Sequence, residues 1–141
     1  MIAPYLDASA IIYLVEGAAG ARALVAARIA GAERDPSGRL LTSRLSRLEC
    51  RVKPLRAADA ALLVTYDAFF ARGRLVVVDV TGPVIDRATE LRVKYGFKTP
   101  DALHLASAIL GGADVFVTGD VALGRCTEVK VEIVSPVAPP P

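Results

Sequence analysis

Four acidic residues stand at places where a folded chain can bring carboxylates together. Asp7 follows the apolar stretch Ala3-Pro4-Tyr5-Leu6, and Asp120 follows Asp114-Val115-Phe116-Val117 through Thr118-Gly119; both read as the ends of β-strands. Glu49 closes Ser46-Arg47-Leu48-Glu49, whose spacing is that of a capping box, and so falls in the first turn of a helix. Asp101 follows Thr99-Pro100, where Thr99 can cap a helix and Pro100 suits a first turn that needs no N–H. Each acid has a structural reading of its own: Asp7 in a turn bonded to Ser9, Glu49 as partner of Ser46, Asp101 complementing the helix dipole, Asp120 in an Asx turn. Together they are harder to explain that way. Two carboxylates about 5 Å apart repel by roughly 3 kcal/mol at an effective dielectric of about 20. A hard divalent cation removes that cost, and an all-oxygen donor set is what Mg²⁺ or Mn²⁺ takes.

The elements around these residues alternate. Strands are expected at Ala3–Leu6, Leu40–Ser43, Leu75–Val78, Asp114–Val117 and Val131–Val134. Helices are expected from Ser9 to Val15, about Ala21 to Glu33, Ser46 to Val52 with a break at Lys53-Pro54, Ala57 to Ala71, Thr81 to Tyr95 and Thr99 to Leu110, with a single turn at Val121–Leu123. Strand runs that are apolar on both faces argue for a parallel sheet covered on both sides. In such sheets ligands bind beyond the carboxyl ends of the strands, at the switch point. All four acids can share that rim. Asp114 begins its strand and faces the opposite rim; Asp79 ends a strand, so topology alone leaves it open. His104, one turn after Asp101 on an apolar helix, reads as packing.

Composition narrows the chemistry. The chain of 141 residues is 53% hydrophobic, which fits one domain with a real core: residues 1–135, followed by a proline-rich extended tail over 136–141. Two cysteines are too few for a disulfide framework, and one histidine with two cysteines leaves little for tetrahedral zinc. The single histidine also argues against a metal-free ribonuclease built on paired imidazoles. Charges interrupt every apolar run before membrane-span length, and no basic segment leads the N-terminus, so a cytoplasmic protein with no membrane association is expected. Between Arg39 and Arg56 six basic residues face Glu49 alone, although the net charge of the whole chain is only +2. Such clustering suits a polyanion such as RNA, or else a solvated helix face.

Leu6-Asp7-Ala8-Ser9, Ser46-Arg47-Leu48-Glu49, Thr99-Pro100-Asp101-Ala102-Leu103-His104-Leu105-Ala106 and Thr118-Gly119-Asp120 resemble, in order and spacing, the motifs of the PIN domain. More narrowly they resemble the VapC-type toxin ribonucleases of bacterial toxin–antitoxin pairs. The resemblance runs from Tyr5 to about Val134. It implies a three-layer α/β/α sandwich with a mainly parallel five-stranded sheet and a metal-dependent endoribonuclease. It also implies a homodimer, a cognate antitoxin as partner, and an Asp79 on an edge strand away from the site. After Asp120 the family often carries a further polar or acidic residue, where this chain has Val121-Ala122-Leu123, so the set fits one or two ions.

The expected site is therefore Asp7, Glu49, Asp101 and Asp120 around Mg²⁺ or Mn²⁺, hydrolysing an RNA phosphodiester. Ser9 and Thr118 are expected to orient carboxylates, water or phosphate, and Arg44, Arg47 and Arg51 to grip the RNA backbone. Two other functions fit the same class of fold. One is a phosphoryl-accepting signalling domain with Asp79 as acceptor and Asp7 for Mg²⁺; the other is an inactive module that only binds a partner.

Overall fold

A computed structural model describes residues 2–134, so the expected tail at 136–141 lies outside the described residues. Five strands, β1 (Pro4–Leu6), β2 (Leu40–Ser43), β3 (Leu75–Val78), β4 (Val115–Thr118) and β5 (Val131–Ile133), form one sheet in the order β3-β2-β1-β4-β5. Every pairing is parallel. The chain builds outward from β1 through β2 to β3, then returns across the sheet to add β4 and β5 on the other side. The switch point lies between β1 and β4.

Among the described residues six helices cover the two faces: α1 (Ala8–Glu16), α2 (Ala19–Arg34), α3 (Arg44–Arg56), α4 (Ala60–Phe70), α5 (Gly82–Tyr95) and α6 (Thr99–Gly111). A 3₁₀ turn spans Val121–Arg125. Strand side chains alternate between the two faces and so feed two cores. Tyr5, Leu41 and Phe116 pack with α5 and α6 through Leu91, Leu105 and Ala106. Leu6, Leu40, Val115 and Val117 pack with α1 to α4 through Ile11, Val25, Ile29, Cys50, Tyr66 and Phe69. That is the three-layer sandwich. Among the described residues no single helix is long and apolar enough to cross a membrane.

Most element ends follow their local chemistry. Thr81 caps α5 by accepting from Val84 N–H, and Gly96 ends it at φ 73°, in the left-handed region. A Cβ on Gly96 meets no atom within 4 Å, so Gly96→Ala carries the backbone penalty alone. We expect it to lower stability by about 1 kcal/mol in chemical denaturation.

Three starts differ from the sequence expectation. Asp7, not Ser9, caps α1: its carboxylate accepts from Ala10 N–H at 3.0 Å. Ser43, not Ser46, caps α3 by accepting from Leu45 N–H, so the helix begins earlier. Ser46 instead accepts from the Thr42 hydroxyl at 2.8 Å. Thr99 lies inside α6, with Lys98 at the cap and no capping side chain; its hydroxyl accepts from Arg92. Pro54 lies within the last turn of α3, and the helix runs on past it to Arg56. The expected buried strand β3 is only half-buried, because it is an edge.

Candidate functional site

The carboxyl end of the sheet gathers the expected acids from four separate elements. Asp7 leaves β1, Asp120 leaves β4, and these strands meet at the switch point. Asp101 lies in the first turn of α6 and Glu49 on α3, one turn past its start.

Asp7 is buried and held on every side. Its Oδ1 accepts from Ser9 Oγ at 2.6 Å and from Ala10 N–H; its Oδ2 accepts from Thr118 Oγ1 at 2.5 Å. Each hydroxyl is itself fixed by a backbone N–H at the end of β4. Gly119 N–H donates to Ser9 Oγ at 2.9 Å, and Asp120 N–H donates to Thr118 Oγ1 at 3.1 Å. Ser9 and Thr118 therefore lock the β1 end to the β4 end through one carboxylate. A Cβ on Gly119 would come within 2.3 Å of the Tyr13 ring, so a larger residue there must displace that ring. Asp120 accepts from Ala122 N–H at 2.9 Å and caps the 3₁₀ turn, so the Asx-turn reading and the site reading both describe it.

Asp101 reports the electrostatics of the rim. Its carboxyl is held above the usual range, first by burial, then by the charges of Asp120 and Asp7, with Glu49 adding to them and His104 opposing. All three other acids thus act on it. Among the described residues none of the four carboxylates is paired with a lysine or arginine, whereas Glu16, Asp67, Asp79 and Glu132 all are. Asp79 pairs with Arg44 at 3.0 Å at the end of the edge strand, two strands from β1, and is absent from the groups that act on Asp101.

Arg44, Arg47 and Arg51 lie along α3 with Glu49, but each has a partner: Arg44 has Asp79, and Arg47 and Arg51 share Asp67 of α4. Beside them Leu48, Val52 and Leu55 stand exposed, forming an apolar strip rimmed by arginine.

His104, expected only to pack, is hydrogen-bonded through both ring nitrogens. Nδ1 lies 2.7 Å from Tyr5 Oη and Nε2 lies 2.6 Å from Glu49 Oε1. The signal for it was available: a lone histidine one turn past Asp101, and a tyrosine two residues before Asp7 in an otherwise aliphatic strand.

A family model described as PIN domain matches residues 5–128. A search of curated proteins finds no match. Among solved structures, VapBC2 of Rickettsia felis bound to a DNA fragment from its promoter superposes with a TM-score of 0.72 at 15% identity, covering 93% of this chain and 98% of the other. A toxin–antitoxin complex of Klebsiella pneumoniae gives 0.68 at 20% identity, covering 95% and 98%. A Mycobacterium tuberculosis VapC toxin that cleaves the sarcin–ricin loop gives 0.66 at 20% identity, covering 90% and 98%.

Proposed function

This chain belongs to the PIN domain family, and on that premise we propose that it is a metal-dependent endoribonuclease, the toxin of a toxin–antitoxin pair. The observation that carries the reading is the set of four carboxylates at the sheet's switch point: none is paired with a lysine or arginine among the described residues, and three of them act on the fourth, Asp101. The likeness to a toxin–antitoxin complex and to an RNA-cleaving toxin supports the same reading.

The donor set fits a hard cation in a particular way. Among the described residues no three metal-binding side chains are grouped to hold one ion. A cation that keeps part of its water shell, as Mg²⁺ does, suits such a spread set. When bound, Mg²⁺ or Mn²⁺ supplies an activated water at neutral pH and neutralises charge building on the phosphoryl oxygens. Asp7, Glu49, Asp101 and Asp120 hold it, directly or through water. Ser9 and Thr118 keep Asp7 from turning away from the rim, and Asp120 is anchored by the turn it caps. Arg44, Arg47 and Arg51 bind the RNA backbone. Their present ion pairs are exposed for Arg44 and partly exposed for Arg47 and Arg51, and exposed pairs are worth about 0–1 kcal/mol each, so exchange for phosphate costs least at Arg44. The apolar strip of Leu48, Val52 and Leu55 offers a surface for the antitoxin, and the exposed Ile85 and Val93 of α5 offer one for a second copy.

Expression in bacterial cells tests the toxin reading. The chain alone is expected to arrest growth and to create new RNA ends, and Asp120→Asn to do neither. A soluble wild-type chain that leaves growth and RNA untouched, or an Asp120→Asn chain that arrests growth equally, contradicts it.

A further inference from the structure

We propose that His104 is a positioning residue for the metal site, holding the Glu49 carboxylate through its Nε2–H while Tyr5 fixes the ring from behind. The inference rests on the metal reading above and names residues that reading does not include.

The hydrogen-bond chemistry leaves little freedom. An ionised carboxylate only accepts, so the 2.6 Å contact to Glu49 Oε1 places the proton on Nε2. A neutral ring then has a bare Nδ1, and the Tyr5 O–H donates to it across 2.7 Å. Tyr5 is fully buried, and its ring stacks on Phe116 at 5.2 Å, at the β1–β4 register where the two residues face each other. Its hydroxyl is thus set by the sheet itself. His104 stands edge-on to Tyr5 and is almost wholly buried, whereas Glu49 is about one-third exposed. The relay therefore runs from a rigid strand pair, through a buried ring on α6, to a carboxylate at the solvent edge on α3.

That carboxylate has no other tether. Among the described residues, Glu49 Oε1 has only the imidazole as partner and Oε2 has none. Among the described residues Glu49, like Asp101, accepts from no backbone N–H, whereas Asp7 and Asp120 each accept one. Without His104 its side chain is free to rotate into solvent. With it, Oε1 is occupied and Oε2 is left for the cation or its water. Partners of this kind commonly change metal affinity by roughly 10–100-fold.

Because the chain has one histidine, imidazole nitrogen NMR reads this residue alone. At pH 8 the unmodified protein is expected to show the Nε2–H tautomer; a proton on Nδ1 overturns the inference. Mn²⁺ titration supplies the second readout. His104→Leu is expected to bind Mn²⁺ roughly tenfold more weakly or worse. His104→Gln, which returns an N–H to the Nε2 position, is expected to recover most of that loss. Should His104→Leu fail to fold, Tyr5→Phe removes only the oxygen that holds the ring at Nδ1; it is expected to keep the Nε2–H tautomer that Glu49 imposes and to bind Mn²⁺ more weakly than wild type, and wild-type Mn²⁺ affinity in folded Tyr5→Phe overturns the inference. Equal Mn²⁺ affinity in wild type and folded His104→Leu overturns the inference alone. A folded wild-type chain that binds no Mn²⁺ overturns the metal reading, and the inference with it.

Discussion

Asp101→Asn is expected to cut RNA more than about 100-fold more slowly than wild type while melting at a higher temperature. The loss follows from removing a charge that faces the metal, which should exceed the upper end of what outer partners contribute. The gain follows from the same charge seen without the metal. Burial, Asp120 and Asp7 all oppose ionisation of Asp101, so its pKa in the folded chain lies above its unfolded value. Between those two values the folded chain binds the proton more tightly, and stability falls as pH rises through the window. Above the window Asp101 is ionised at a standing cost that Asn does not carry. The higher melting temperature should therefore be present at pH 7 and shrink as the pH falls through the window, vanishing only below the ordinary Asp value of about 3.9. Thermal melts across that range, without added metal, check it. An Asp101→Asn chain no more stable than wild type at pH 7 contradicts the electrostatics.

Asp7→Ala is expected to destabilise the fold by about 2–4 kcal/mol as well as to abolish cleavage. Removing the carboxylate uncaps α1, typically about 1 kcal/mol. It also leaves the buried Thr118 hydroxyl without its acceptor, at about 1–3 kcal/mol, while the half-buried Ser9 hydroxyl can turn to water. Asp7→Asn separates the two roles. Its amide oxygen can still accept from Ser9 and Ala10, and its NH₂ can donate to Thr118, which has a second lone pair. We expect Asp7→Asn to keep most of the stability and to lose the activity. Urea unfolding of both variants checks the difference; equal loss in the two means that the charge itself, rather than the bonds, holds this corner.

The contrast between Asp7 and Asp101 also shows what the sequence could convey. The alternation of apolar runs with helices was enough for the parallel sheet, and the acids at strand ends and helix starts were enough for a shared rim. Caps were read less well. Ser9, Ser46 and Thr99 all have the chemistry of caps, but Asp7, Ser43 and Lys98 occupy those places. A hydroxyl has several local partners, and tertiary ones win: Ser9 joins β4 through Gly119, Ser46 joins Thr42, and Thr99 meets Arg92. His104 was missed for the same reason. The lone histidine and the strand tyrosine are visible in the sequence, but the partners lie 99 and 55 residues away, on β1 and α3, and no local spacing encodes the pairing. The arginines were visible as charge, whereas their pairing with Asp67 and Asp79 depends on how α4 and β3 lie against α3.

The most direct test of the account is cleavage of a mixed cellular RNA pool by the purified chain, free of any partner, with Mg²⁺ or Mn²⁺, with chelator, and with Asp7→Asn in place of wild type. The account predicts endonucleolytic cuts that require the metal and disappear in both the chelated and the Asp7→Asn reactions. Cutting that persists in chelator, or that Asp7→Asn performs as well as wild type, would contradict it.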